Sequence, residues 1–156
     1  MERLQFWRLD NGAIRALSTV RDRLAQSGLE SSLLDLVYVR VSQLNGCTCC
    51  EDAHAQDAIE HGVEERLLRE LAGWRKSALF SERQRAALAW ADSITEIAKT
   101  HAPDELYSEL AGRFSEKELV ALTVAIAVMN AFARIAIAFR HGPPPAPAHA
   151  PGGVGG

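Results

Sequence analysis

The amino-acid sequence predicts an all-α protein, a bundle of about six or seven helices formed by residues 1–140. Apolar residues recur every three or four positions in successive segments, which is the period of an amphipathic helix. Two segments open with a serine followed three positions later by glutamine or glutamate, the capping-box pattern: Ser81 with Gln84, and Ser115 with Glu118. No internal repeat is visible, and no segment has a strand pattern strong enough to support a sheet. A single helical domain is therefore expected.

The first three predicted helices are, in chain order, residues 11–26, 31–44 and 47–62. Asp10 or Asn11 is expected to cap the first of them. The second is rich in β-branched residues, which would also suit a strand, and Gly46 ends it. The third begins near Cys47 and ends at Gly62, because glycine is common just after a helix C-terminus.

The remaining predicted helices are residues 64–72, 81–101, 104–113 and 116–139. Between the first two of these, residues 73–80 are expected to form a connector whose aromatic side chains, Trp74 and Phe80, enter the core. After Arg140 the composition changes to proline, alanine and glycine. Such a segment cannot bury apolar surface, so residues 141–156 are predicted to form a flexible tail.

The last helix is apolar almost all round from Leu119 to Phe139, interrupted by Asn130 and Arg134. Its 21 residues would be long enough to span a bilayer. Arg134 in the middle of the run, the alanine content and the lack of a second such segment argue against a membrane span. A helix this apolar must be covered on most sides, so subunits are expected to pack around it as a homo-oligomer.

Composition and charge limit the partners and the compartment. The 156 residues include 17 Lys and Arg against 20 Asp and Glu, with mixed signs and no basic block, so no nucleic-acid partner is expected. The N-terminal residues lack the apolar stretch of a secretory signal, and three clustered cysteines do not make an extracellular disulfide framework. A reducing cytoplasm is the expected location.

All three cysteines and one histidine lie within residues 45–54. On a helix, Cys47 and Cys50 are three residues apart and Cys50 and His54 four apart, so two thiols and an imidazole share one face. A thiol attacks a peroxide or a disulfide only as thiolate, which the helix dipole favours at Cys47 and the imidazole favours at Cys50. Spacing leaves open which thiol attacks. Cys49 is turned about 100° away and is expected to be a buried bystander.

Asp35, twelve residues before Cys47, is the candidate acid that would orient or charge the imidazole of His54. It lies in an otherwise apolar run, where a buried carboxylate would be costly without a partner. The alternative, equally consistent with the pattern, is a solvated aspartate on the outer face or a favourable charge in the first helical turn.

The segment of residues 36–54 resembles the core of the AhpD-like alkylhydroperoxidases, in the carboxymuconolactone decarboxylase superfamily, and residues 80–91 and 114–120 are similar to later segments of that family. The resemblance implies an all-helical fold, assembled as trimers or hexamers. It implies a thiol peroxidase without a cofactor, in which Cys50 attacks the hydroperoxide and Cys47 resolves it as a disulfide. An external thiol or disulfide reductant would regenerate the pair.

In the same resemblance, His54 and Asp35 belong to a proton relay. The family usually has glutamate where this chain has Asp35, which is one methylene shorter, and its best-studied members have histidine where this chain has Cys49. Asn130 and Arg134 either bound the pocket or serve helix packing.

Three other functions remain open from the sequence. The first is lactone decarboxylation or a related activity without cysteine chemistry. The second is metal binding by Cys47, Cys50 and His54, with Asp35 or Cys49 as a fourth ligand. The third is a redox sensor in which the disulfide acts as a switch without peroxide turnover.

Overall fold

The computed structural model describes residues 1–9 and 12–142, and all regular structure in those ranges is helical. The α-helices are α1 Gly12–Leu24, α2 Ser31–Asn45, α3 Thr48–Glu60, α4 Glu65–Glu70, α5 Glu82–Thr95, α6 Ile97–Thr100, α7 Asp104–Ala111 and α8 Glu116–Phe139. Two 3₁₀ helices accompany them, at Phe6–Arg8 and Leu71–Lys76. The all-α prediction is confirmed. The proposed caps Asp10 and Asn11, and positions 143–156 of the predicted tail, lie outside the described residues.

Helix α2 is the centre of the fold, because it packs against α3, α5 and α8. Three of its apolar residues, Leu36, Val37 and Val41, are completely inaccessible to solvent. Burial on several sides explains why the sequence of α2 lacks a clean amphipathic pattern. The β-branched residues that also suited a strand are accommodated in a helix, since packing outweighs a weak local preference.

Two large apolar clusters hold the helices together, and a third, smaller one lies around Cys47. The larger one joins α1, α2, α5, α7 and α8, and it includes the fully buried side chains of Leu122 and Ile126. The smaller of these two large clusters lies between α2, α3, α5 and the connector that follows α4. Trp74 and Phe80 of that connector are 3% and 4% exposed, as the sequence predicted.

Both predicted capping boxes are present. Ser81 accepts a hydrogen bond from the backbone N–H of Gln84, whose side chain accepts one from Ser81 in return. Ser115 and Glu118 form the same reciprocal pair at the start of α8. Each box satisfies backbone donors that the first helical turn leaves unpaired.

The helix predicted for residues 81–101 is interrupted at Glu96, so that α5 ends at Thr95 and the short α6 follows. A side-chain interaction accompanies the break: the hydroxyl of Thr100 donates to the backbone carbonyl of Ser93 and accepts from the Ser93 hydroxyl. This local bonding competes with the regular helical ladder, a tendency of serine and threonine that apolar spacing does not reveal.

Helix α8 is long and apolar enough to cross a membrane, and half of its most apolar 18-residue window is buried inside the fold. Leu122, Ala125 and Ile126 form its most buried part. The opposite side leaves Val120 65% exposed and Val124 37% exposed. Helix α8 therefore has one face in the core and one uncovered apolar face.

Candidate active site

A sharp reversal between α2 and α3 brings the cysteines to the helix boundary. Gly46 ends α2 with φ 67° and ψ 28°, a left-handed conformation that glycine adopts without steric cost. The backbone N–H groups of Gly46 and Cys47 donate to the carbonyls of Gln43 and Ser42. Cys47 is then the N-cap residue of α3, and Cys50 is the third residue of its first turn.

Cys47 and Cys50 form a disulfide, with their Cα atoms 5.3 Å apart. Cys47 is 3% exposed and packs with Ala133 and Ala136 of α8, while Cys50 is half-buried. Both sulfur atoms therefore lie at the positive end of α3, where free backbone N–H groups and the helix dipole stabilise a thiolate once the bond is reduced. The predicted spacing of the two thiols is realised.

Cys49 lies closer to the other two cysteines than its helical position suggests. Its Sγ is 3.6 Å from Sγ of Cys47, because Cys47 precedes the helix and its side chain does not follow the helical direction. Burial raises the pKa of the Cys49 thiol, which keeps it protonated near neutral pH. With Cys47 it lines an open cleft of about 770 Å³ between α3 and the end of α8.

His54 is 8% exposed and lies one turn beyond Cys50 on α3. Its ring centroid is 5.3 Å from that of Tyr38, and its Nδ1 is 3.6 Å from a carboxylate oxygen of Asp57. Burial, with a smaller contribution from Arg21, lowers the pKa of His54. The imidazole is therefore neutral near pH 7 and able to accept a proton.

Asp35 is 6% exposed, so its carboxylate is buried in the structure and not solvated on an outer face. Its partner is His61, whose Nδ1 is 2.8 Å from Asp35 Oδ2. Burial raises the pKa of Asp35, and the hydrogen bond to Asp35 raises the pKa of His61. Across residues 1–9 and 12–142, no hydrogen bond joins His54 to Asp35 or to Cys50. A half-cystine has no thiol proton to donate to the imidazole.

His54 and Asp35 nevertheless line the same pocket, about 190 Å³ in volume, at the junction of α1, α2 and α3. His61 lines it too, and sequence reasoning missed this residue. The sequence could have indicated His61 as a site residue, because it lies seven residues after His54, a separation of two helical turns along one face.

The structure brings together a different set of possible metal ligands from the set that the sequence predicted. Sγ of Cys47, Cys49 and Cys50 all lie within 4.8 Å of one another, so the reduced thiols could ligate a thiophilic ion. His54, the predicted nitrogen ligand, is not part of that cluster. In the disulfide state, Cys47 and Cys50 are not available as thiolates.

Hydrogen bonds of the buried Asn130 side chain connect three helices, α2, α5 and α8. Asn45 at the end of α2 donates through Nδ2 to Oδ1 of Asn130 on α8, at 2.9 Å. Asn130 in turn donates to the hydroxyl of Thr95 on α5, at 3.0 Å. Asn130 thus serves helix packing, and Arg134 is exposed one turn further along α8.

These features define a class of protein: an all-helical chain with a dithiol pair at a helix N-terminus and a buried neutral imidazole one turn further on. The family model of the carboxymuconolactone decarboxylase family matches residues 12–93. The chain belongs to this family and is an AhpD-like member of the superfamily.

Relatives with known sequences or structures support the same assignment. The chain is 30% identical over 137 residues to the uncharacterised protein YdfG of Bacillus subtilis, an alignment covering 88% of this chain and 93% of YdfG. The crystal structure of ATU0492 from Agrobacterium tumefaciens, a protein of unknown function described as a candidate antioxidant defence protein AhpD, matches with a TM-score of 0.88. That match has 35% identity and covers 92% of this chain and 99% of ATU0492.

The same fold occurs in proteins with different activities. The debrominase Bmp8 matches with a TM-score of 0.72 at 21% identity, over 80% of this chain and 67% of Bmp8. Since this fold supports a debrominase, the reaction of the present chain has to be argued from its own site.

Proposed function

We propose that the chain is a thiol-dependent peroxidase that reduces hydrogen peroxide or small organic hydroperoxides. The observation that carries the proposal is the Cys47–Cys50 disulfide at the N-terminus of α3, with the buried imidazole of His54 one turn away. The disulfide is the oxidised product expected of such a cycle. An external thiol or disulfide reductant would return it to two thiols.

The chemistry balances with the residues present. His54 takes the proton of the Cys50 thiol, and the thiolate attacks one oxygen of the peroxide, breaking the O–O bond. Cys50 becomes a sulfenic acid, and the alkoxide or hydroxide that leaves takes the proton from His54. The thiol of Cys47 then attacks the sulfenic sulfur, and water leaves as the disulfide forms.

Two features support Cys50 rather than Cys47 as the attacking thiol. Cys50 is half-buried, whereas Cys47 is 3% exposed and packed against α8, so more of the Cys50 side chain is accessible to solvent. Cys50 is also four residues before His54, the separation at which side chains on a helix become neighbours.

The test compares peroxide consumption by the wild type, Cys50→Ser and Cys49→Ser, with excess dithiothreitol as the reductant. We expect Cys50→Ser to fall to the uncatalysed background, because a hydroxyl does not ionise near neutral pH. The matched control, Cys49→Ser, keeps the cycle. We also expect His54→Ala to slow turnover by about 10²–10⁴-fold, the usual contribution of a positioned general base. Undiminished activity in Cys50→Ser would refute this assignment of the attacking thiol.

A homo-oligomer in the cytoplasm remains part of the proposal, with a trimer or hexamer as the expected assembly. The support comes from α8, where Val120, Val124 and Ala127 are exposed at spacings of four and three. Apolar residues at those spacings form a stripe along one side of a helix, which a second subunit can cover.

Lactone decarboxylation is the competing activity. It would not depend on the thiols, so turnover of a lactone by a variant with all three cysteines replaced by serine would favour it over peroxide reduction.

A further inference from the structure

The three sulfur atoms at the start of α3 form a compact triangle. Sγ of Cys49 is 3.6 Å from Sγ of Cys47, and all three sulfur atoms lie within 4.8 Å of one another. Bonds between a thiolate and a metal ion are about 2.3 Å long, so three thiolates around one ion lie about 4 Å apart. The distance between Cys47 and Cys49 is already close to that value. Only Cys47 and Cys50, which the disulfide joins, have to move apart after reduction.

The backbone at the start of α3 positions the three thiols. The N–H of Cys47 donates to the carbonyl of Ser42 at 3.0 Å, and the carbonyl of Cys47 accepts from the N–H of Glu51 at 2.9 Å. Cys49 and Cys50 are the second and third residues of the helix that follows. Because the helix holds the donors close together before an ion arrives, little ordering is required on binding. The open cleft of about 770 Å³ beside Cys47 and Cys49 gives an ion access from solvent.

This end of α3 also stabilises negative charge. The helix has 13 residues, and no side chain forms a capping hydrogen bond at its N-terminus. The N–H groups of the first turn therefore have no intrahelical partner, and the helix dipole is positive at this end. A metal ion displaces the proton of a thiol that binds it. Protonation of the free Cys49 thiol is thus no obstacle to coordination.

The donor atoms indicate which ion the triangle fits. Within the part of the chain that the structure describes, no histidine nitrogen or carboxylate oxygen belongs to this group. Structural zinc sites almost always have four ligands, and magnesium, calcium and manganese prefer oxygen. Thiolates select Cu(I), a soft ion that accepts a trigonal set of three sulfur ligands. A site with sulfur donors alone and no fourth ligand therefore matches Cu(I).

We propose that Cys47, Cys49 and Cys50 form a binding site for one Cu(I) ion in the reduced protein. The disulfide removes two of the three ligands, so the site exists only when the pair is reduced. The inference goes beyond the proposed peroxidase activity, which uses Cys47 and Cys50 but not Cys49. A bound ion would withdraw Cys50 from reaction with peroxide, and Cys49 is the residue that completes the ligand set.

The first test measures protection from alkylation. The full-length protein is reduced with dithiothreitol, desalted without oxygen, and treated with iodoacetamide with or without one equivalent of Cu(I). Cys49 and Cys50 are half-buried, so both should be alkylated in the ion-free protein. We expect Cu(I) to protect both, as measured by mass spectrometry of the peptides. Alkylation of Cys49 at the same rate with and without Cu(I) would overturn the proposal.

The second test measures Cu(I) affinity by competition with the chromogenic chelator bicinchoninate. Loss of a residue that only supports a metal ligand costs about 10–100-fold in affinity, so we expect Cys49→Ser, which removes a ligand, to weaken binding by at least about tenfold. His54→Ala should bind as the wild type does, because His54 is not part of the sulfur cluster. Circular dichroism would show that both variants are folded. Unchanged affinity in Cys49→Ser, or an equal loss in His54→Ala, would refute the three-sulfur site.

X-ray absorption at the copper edge identifies the ligands directly. We expect three sulfur neighbours in the wild type and two in Cys49→Ser, whereas a nitrogen neighbour in the wild type would contradict the proposal. The disulfide form, titrated in the same way, should not retain Cu(I) against the chelator. Retention by that form would also overturn the proposal.

The copper site and the peroxidase activity can fail separately. Copper binding is measured without peroxide, and Cys49→Ser is expected to lose the copper site while keeping peroxide turnover. Normal turnover in a wild type that does not bind Cu(I) would refute the metal site alone. Tight Cu(I) binding by a wild type without turnover would refute the peroxidase proposal alone.

Discussion

Reduction of the Cys47–Cys50 disulfide should leave the protein folded, because the bond closes a very short loop. The two cysteines are separated by three positions, so the closed loop contains four residues. In the chain-entropy treatment, such a loop lowers the entropy of the unfolded chain by about 6 cal/mol/K, which is about 2 kcal/mol at 25 °C. A domain typically has 5–15 kcal/mol of stability.

The expected decrease in melting temperature is about 4–8 °C, since 1 kcal/mol corresponds to roughly 2–4 °C for a chain of this size. Far-UV circular dichroism would follow thermal unfolding of the oxidised and reduced protein, with a phosphine as the reductant. Cys49→Ser serves as the control, because it removes the third thiol and with it any exchange among the three. A small shift with retained cooperativity fits a bond that opens and closes in a reaction cycle.

Loss of the cooperative transition on reduction, or a shift of several times that size, would refute this reasoning. Either result would mean that the bond is needed to hold α2 and α3 together. The disulfide would then be structural, and a peroxidase that must spend part of each cycle reduced would be difficult to reconcile with it.

Two further predictions concern stability. Leu122→Ala should reduce the free energy of unfolding, measured in urea, by about 2–5 kcal/mol, because Leu122 is completely buried. Val120→Ala, at a 65% exposed position of the same helix, should change the free energy of unfolding little. Equal effects would contradict the packing described for α8. Hydrogen bonds from Ser115 and Arg83 lower the pKa of Glu118 to about 2, so its contribution to stability is present above pH 4.5 and lost as the pH falls towards 2. Glu118→Gln should be less stable than the wild type at pH 7 and approach it near pH 2.

The helical architecture could be predicted because each segment carries its own information. Apolar spacing and the two capping boxes identify the helices without reference to the rest of the chain. Helix α2 was harder, since a segment buried on several sides shows little periodicity. The break at Glu96 was missed because it accompanies hydrogen bonds between Ser93 and Thr100, which become neighbours only when the chain turns there.

Some features of the candidate site could likewise be predicted from the sequence, and others could not. The proximity of Cys47 and Cys50 follows from their separation by three positions and was predictable. The partner of Asp35 was not, because Asp35 and His61 are 26 positions apart and meet only when α2 packs on α3. The closeness of Cys49 to Cys47 was not predicted, because the prediction placed Cys47 in the helix, whereas in the structure it is the N-cap residue that precedes the helix.

The hydrogen bonds of Asn130 bear on the uniqueness of the fold. In an alanine-rich helix that is apolar almost all round, apolar contacts adapt to a small shift along the helix axis more readily than hydrogen bonds do. Amide hydrogen bonds are more sensitive to such movement, since Asn130 is 5% exposed and, if displaced, would lose its partners Asn45 on α2 and Thr95 on α5. Together with the hydrogen bond from Trp90 of α5 to Thr123 of α8, Asn130 therefore favours one register of α8, the register that places Ala133 and Ala136 against the cysteines.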